Sequence, residues 1–381
     1  LVSGGLPVEG FNPAGVQRLE LPPIAVGRDN FGELVDGDGK VLDDAFRQRR
    51  AGMLLQMFDD IQPDCVMLEA FPFGRRQVRF ELLPLIEAIE SRQNRPVLVS
   101  SVRDILQRRR KPGRDEETAA MIRQHFDKVL VHGDPRFATL DESFSCAASI
   151  ADKVAYTGLV CAPVPEASAE QFDVVVSAGG GAVGDTLLQT SLQAARDLPA
   201  ELRWCIIGGP NLGQTGYESL ARDLPDYVLL QRFREDFPSL LCSAGVSVSQ
   251  AGYNTMGDIL QSGCRAILVP YSVGGETEQA DRAARMQRLG LAQVVGEAQL
   301  SGDTLAAMIQ EALSQPRSGA TVAPALANAP GPALAPAPAP ALASAPALAP
   351  ALDVRGAERT AEIVHALLSV ARGASGSGRS N

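Results

Sequence analysis

Short apolar runs alternate along this chain with stretches whose apolar positions recur every three to four residues. In the first half, Cys65-Val66-Met67-Leu68 follows a helical pattern over 44–59. Pro96-Val97-Leu98-Val99-Ser100 follows one over 81–92, and Lys128-Val129-Leu130-Val131 follows one over 116–126. Strands interleaved with helices in this way predict βα units, and so a parallel sheet with helices on both faces. A Pro-containing joint at 162–170 reads as a linker. The second half then starts afresh with a strand at 173–177, a glycine run and a helix at 185–196. Strands at 203–207, 227–231, 246–249 and 266–270 follow. The expected architecture is α/β, with two successive doubly wound, Rossmann-like domains at 1–161 and 171–314. Such folds put ligands in the cleft outside the carboxyl ends of their strands.

Beyond 314 the pattern collapses. Residues 315–352 are Ala/Pro-rich and of low complexity, an expected extended spacer in a surface loop. A helical stripe returns over 353–370 through Ala357, Ile363, Val364, Leu367 and Leu368. The Gly/Ser-containing end, 371–381, is expected to be a disordered tail. The chain opens on Leu1-Val2-Ser3-Gly4-Gly5, which reads as the end of a strand with an N-terminal piece before it.

Composition narrows the chemistry. The 381 residues suit two domains, and 45% hydrophobic with 21% charged residues fits a well-cored protein. A net charge of −10 argues against general nucleic-acid binding, which needs a basic face to neutralise phosphate. The six cysteines have no metal-ligand or CxxC spacing, so they read as small core residues in a reducing, cytoplasmic compartment. His125, His132 and His365 are scattered, and no metal site is expected.

Gly179-Gly180-Gly181-Ala182-Val183-Gly184 fits GxGxxG between a strand and a helix. Backbone N–H groups and a helix N-terminus could meet a diphosphate there, because glycine lets the backbone approach. A dinucleotide-binding dehydrogenase would place an acidic residue at the end of the second strand to hold a ribose. That strand ends instead in Ile206-Ile207-Gly208-Gly209-Pro210-Asn211, so the dehydrogenase reading loses.

Three more strand ends accompany the glycine loop. Ser249-Gln250-Ala251-Gly252-Tyr253-Asn254-Thr255-Met256-Gly257-Asp258 makes a second phosphate-ready helix start. Pro270-Tyr271-Ser272-Val273-Gly274-Gly275-Glu276-Thr277-Glu278-Gln279 offers carboxylates and amides to sugar hydroxyls. Gln231-Arg232-Phe233-Arg234 adds an aromatic face and cations. Together these motifs resemble the donor-binding domain of family 28 glycosyltransferases, whose fold is GT-B. The family includes the bacterial enzyme that adds N-acetylglucosamine to the lipid-linked peptidoglycan precursor. The likeness is closer still to bacterial glycosyltransferases of this type with no settled acceptor. It is strongest from 173 to about 295 and continues more weakly through the first half.

The resemblance implies a UDP-sugar donor, with no cofactor and no essential metal. It implies that Gly180, Gly181 and Ala182 border the diphosphate, and that Gly252, Tyr253, Asn254 and Thr255 line it from the second helix. Phe233 and Arg234 would pack against and hydrogen-bond the base. Asp258 would grip the ribose where the family usually has Glu. Glu276, Glu278 and Gln279 would read the sugar, and Arg282 stands where Asn is common. The family's base is a His in a loop after the first strand, expected to lie before Leu1. The resident alternatives are Glu69 and His132, the latter also readable as a turn residue. Arg75, Arg76 and Arg79, with the arginine-rich run from Arg103 to Arg114, suggest an anionic acceptor or an acidic membrane surface at the inner face. Two other functions compete. A nucleotide-sugar epimerase trails because Ala251-Gly252-Tyr253-Asn254-Thr255 lacks the expected carboxylate, and a non-catalytic nucleotide-sugar-binding protein remains a rival of another class.

Overall fold

The computed structural model describes residues 1–6, 15–27, 33–108, 111–179, 184–209, 212–272, 275–315 and 352–377. In the first half, β1 (Val2–Ser3) and β2 (Leu19–Glu20) form a parallel pair, and β3 (Ile24–Val26) and β4 (Leu34–Asp36) an antiparallel one. Then come α1 (Asp44–Ile61), β5 (Cys65–Glu69), α2 (Arg79–Ser91), β6 (Val97–Arg103), α3 (Arg114–His125), β7 (Lys128–His132) and β8 (Val154–Tyr156). Strands β5-β6-β7-β8 make a four-stranded parallel sheet in that order. Buried Arg50 of α1 ties the opening segment down: it pairs with Glu81 of α2 and donates to the carbonyls of Gly4 and Pro22.

The second half contains β9 (Val174–Ser177), α4 (Asp185–Asp197), β10 (Trp204–Ile207), α5 (Gln214–Ala221), β11 (Val228–Gln231), α6 (Phe237–Ser243), β12 (Val246–Ser249), α7 (Tyr253–Ser262), β13 (Ala266–Leu268), α8 (Glu278–Arg288), β14 (Gln293–Val294) and α9 (Gly302–Ser314). Its six strands are parallel in the order β11-β10-β9-β12-β13-β14. Successive residues on a strand face opposite ways, so both faces of this sheet need apolar side chains. Val174, Val176, Trp204 and Ile206 pack on one side with residues of α4 and α9. Val175, Cys205 and Ile207 pack on the other with residues of α6, α7 and α8. Each such fully buried side chain contributes about 1.5–3 kcal/mol by leaving water.

The final helix, α10 (Gly356–Ser377), returns to the first half. Ile363, Val364, Leu367 and Leu368 pack on Val97, Val99 and Leu130 of the β5–β8 sheet. This helix runs past 370 into the stretch expected to be a disordered tail, and Ala371 extends its apolar stripe. Most of the Ala/Pro-rich segment lies outside the described residues.

Candidate functional site

The chain leaves β9 toward β10 on one side and later crosses back to put β12 against β9's other edge. The loops after β9 and β12 therefore diverge at a topological switch point, where open α/β sheets carry their ligand crevice. Gly209, after β10, has φ +86°, and a Cβ there would collide with the Gly179 carbonyl. Gly184 has φ +143° and opens α4, and a Cβ there would lie 2.6 Å from that of Ala178. Both positions require glycine for geometric reasons, independent of any ligand. The expected diphosphate contacts Gly180, Gly181 and Ala182 lie outside the described residues.

The start of α7 is described. Gly252 is its N-cap, and no side chain caps it; the same holds for α2 to α6 and α8, while Asp43 and Ser301 accept from the first turns of α1 and α9. The leading N–H groups of a helix lack intrahelical partners and carry its positive pole. Asn254 is exposed and Thr255 half-buried. Asp258 lies one turn on from both, half-buried, with no hydrogen bond or ion pair to its carboxylate among the described residues. Burial pushes its pKa up to about 6. Its neighbour Cys161, whose Sγ would lie 3.0 Å from a Cβ on Gly257, is pushed up to about 12, by burial first and by Asp258 second.

The fourth residue implied for α7 does something else. Tyr253 is buried, its hydroxyl donates to the His132 carbonyl at 2.9 Å, and it accepts from the Val160 N–H at 2.8 Å. The Tyr253 side chain joins the two halves and does not line the phosphate end.

The aromatic strand end separates in the same way. Phe233 is 55% exposed just beyond β11, free to take a planar ring. The Arg234 guanidinium is engaged: it forks Asp236 at 2.6 and 2.7 Å and reaches Glu170 at 2.8 Å. Its hydrogen bonds to these carboxylates, Asp236 first, raise its pKa despite burial. A base stacked on Phe233 would meet Arg234 already paired.

The loop before α8 sits beside α7 because β12 and β13 are adjacent. Glu276 Oε1 accepts from the Glu278 N–H at 3.1 Å, and Gln279 Oε1 from the Tyr271 N–H at 3.1 Å. Glu278 Oε1 accepts from Arg282 at 2.8 Å. These three side chains are gathered at one helix start by their own backbone and one arginine. Sequence reasoning missed Asp104 and Gln107, which come from the first half. Gln107 donates to the Gly275 carbonyl at 2.9 Å and accepts from the Thr277 N–H at 3.0 Å. The 103–114 run was legible only as a cluster of cations.

On the first half, Glu69 ends β5, exposed and paired with Arg75 at 2.6 Å. His132 ends β7 with both ring nitrogens bonded, Nε2 with Ser101 Oγ at 2.7 Å and Nδ1 with Thr157 Oγ1 at 2.9 Å. Burial pushes its pKa down against the pull of Glu69, so the ring is neutral near pH 7. Arg76 and Arg79 converge on Glu117, whose carboxyl they hold at about 2, Arg79 first. Arg108 pairs with Asp281 at 3.6 Å. Among the described residues, no group of three or more His, Cys, Asp or Glu side chains is arranged to hold a metal ion.

Residues 174–333 match the glycosyltransferase family 28 C-terminal domain. A similar protein is the UDP-N-acetylglucosamine--N-acetylmuramyl-(pentapeptide) pyrophosphoryl-undecaprenol N-acetylglucosamine transferase of Gloeobacter violaceus. It is 30% identical over 125 residues, 32% of this chain and 34% of the relative, so the chain spans about a third of that relative's length. Among solved structures, the calicheamicin glycosyltransferase CalG4 aligns over 79% of both chains with a TM-score of 0.50 and 16% identity. The spinosyn rhamnosyltransferase SpnG complexed with thymidine diphosphate aligns over 79% of this chain and 80% of its own, with a TM-score of 0.50 and 15% identity. At such identities the likeness shows the fold, which is GT-B with two Rossmann-like α/β domains.

Proposed function

We propose that this chain, whose residues 174–333 match the family 28 glycosyltransferase C-terminal domain and whose fold is GT-B, moves a hexose from a UDP-sugar to an acceptor hydroxyl with inversion. The observation that carries the reading is the start of α7. A helix N-terminus open to an anion lies one turn from a half-buried carboxylate with no partner among the described residues. A nucleoside diphosphate supplies both complements, phosphate oxygens for the N–H groups and ribose hydroxyls for Asp258. Phe233 offers its face to the base.

In this proposal the departing diphosphate is stabilised by fixed backbone N–H groups, which are already oriented when charge develops, so no metal is needed for that task. Deprotonating the acceptor hydroxyl needs a base on the first half. Glu69, whose carboxylate is exposed, suits this better than His132, whose two nitrogens are both bonded. The proposed place of action is the cytoplasm, with any contact at the inner face of the membrane made through the acceptor. Arg75, Arg76, Arg79 and Arg108 are engaged by carboxylates, so bilayer docking through them is not part of the proposal. No helix among the described residues is long and apolar enough to cross a membrane.

Calorimetric titration with UDP, dTDP, GDP and NAD tests the reading. The expected result is a preference for UDP that Asp258→Ala weakens. Binding of NAD in preference to UDP, or UDP binding indifferent to Asp258, would overturn it.

A further inference from the structure

The guanidinium of Arg282 bonds groups from three parts of the fold. It lies in the second turn of α8, and its side chain is 1% exposed. Nε and Nη2 fork the carboxylate of Asp104 at 3.1 and 2.7 Å. Nη2 also reaches Glu278 Oε1 at 2.8 Å, and Nη1 donates to the Ala251 carbonyl, just before the α7 cap, at 2.9 Å. Asp104 belongs to the first half, immediately after β6, and its side chain is 0% exposed. Gly133 packs against it, since a Cβ there would lie 3.0 Å from the Asp104 Cα.

A charge removed from water must be paired, and a planar guanidinium with five donors can serve several acceptors only in fixed directions. Burial alone would lower the pKa of Arg282, but the charge and hydrogen bonds of Asp104 and Glu278 raise it. Arg282 therefore cannot leave Asp104 without stranding a buried charge. Glu278 differs, because its side chain is 23% exposed and only one of its oxygens is held by Arg282. Its other oxygen can face the cleft from a direction set by a residue of the opposite half.

The geometry points to Asp104 as a positioning residue for the donor: through Arg282 it orients the Glu278 carboxylate that meets the transferred hexose. This rests on the UDP-sugar reading and deepens it. Asp104 itself touches no donor atom, and Arg282 keeps its Ala251 bond through Nη1 when Asp104 is neutralised.

The test titrates the full chain with UDP and with UDP-N-acetylglucosamine, UDP-glucose and UDP-galactose. The quantity read is the ratio of Kd for UDP to Kd for the tightest UDP-hexose. Asp104→Asn is expected to leave Kd for UDP unchanged and to lower the ratio roughly tenfold, the scale of one hydrogen bond to a charged group. Glu278→Gln is expected to lower the same ratio, and the double variant to fall no further than Glu278→Gln alone. If Asp104→Asn does not fold, Asp104→Asn with Arg282→Met removes both buried charges and is expected to show the same lowered ratio. Additive losses, equal weakening of UDP and UDP-hexose, or an unchanged ratio would overturn the assignment, as would a wild-type chain that gains nothing from any hexose. Absence of UDP binding to the wild type would instead sink the donor reading beneath it.

Discussion

The hydroxyl of Tyr253 lies 2.9 Å from the backbone carbonyl of His132, joining the first turn of α7 to the end of β7 across the two halves. The same oxygen accepts from the Val160 N–H, so it completes two backbone groups at once. Tyr253→Phe would leave both groups without this partner, at about 1–3 kcal/mol for unsatisfied buried groups. The expected outcome is a lower denaturant midpoint with Kd for UDP unchanged. A large loss of UDP affinity at wild-type stability would instead put the Tyr253 side chain against the diphosphate.

Asp258 makes donor binding depend on pH. Its pKa of about 6 in the free protein means that the carboxyl is mostly protonated at pH 5 and ionised at pH 7. Two ribose hydroxyls donate best to the ionised form. Affinity for UDP should therefore rise with pH through about 6, and Asp258→Asn should flatten that rise in a titration series. Stability of the free protein follows the opposite sign. The folded state holds this proton more tightly than the unfolded chain, whose Asp pKa is about 3.9. The chain should lose stability as pH climbs from about 4 to about 6, and Asp258→Asn should remove that part of the slope.

Arg282 gives a stability test separate from any ligand. Removing one partner of a buried ion pair leaves the other uncompensated and costs about 3–5 kcal/mol, whereas replacing both is often near neutral. Arg282→Met alone should unfold at a much lower urea concentration than Arg282→Met with Asp104→Asn. Equal midpoints would show that Asp104 finds water or another donor when Arg282 is removed.

The C-terminal helix should be required for the first half to stay folded. Truncation before residue 353 removes α10 from Val97, Val99 and Leu130 and deletes the bond from the Asp353 N–H to Asp134 Oδ2 at 2.8 Å. Exposed apolar surface of this kind binds hydrophobic dyes and drives association. The expected result is strong dye fluorescence and loss of a cooperative transition, read by calorimetry.

The parts legible in the sequence were those whose signal is local. Val174-Val175-Val176 and Trp204-Cys205-Ile206-Ile207 were readable as strands because a sheet buried on both faces demands continuous apolar runs. β1 falls in the opening segment read as the end of a strand, whereas β2 to β4 escaped because runs of two or three residues carry no period. Phe233 was readable as an aromatic face just past a strand, while its place at the base and that of Asp258 at the ribose are what the family resemblance implied. The engagement of Arg234 with Asp236 and Glu170 was not legible, because it depends on side-chain directions that spacing does not encode. Arg282 with Glu278 has the i,i+4 spacing of a helix pair, but Asp104 is 178 residues away, and no local pattern announces that contact.

Phe233 offers the cleanest separation of binding from folding. At 55% exposure its ring contributes little to the core, so Phe233→Ala should leave the thermal midpoint nearly unchanged. Base stacking on an aromatic ring contributes about 1–3 kcal/mol, so Kd for UDP should rise roughly 5- to 150-fold. Arg234→Ala should behave differently. It releases Glu170 from the joint between the halves as well as Asp236, so the expected loss includes stability. If Phe233→Ala binds UDP as tightly as wild type, the base lies elsewhere, and the end of β11 drops out of the donor site while α7 and Asp258 remain in it.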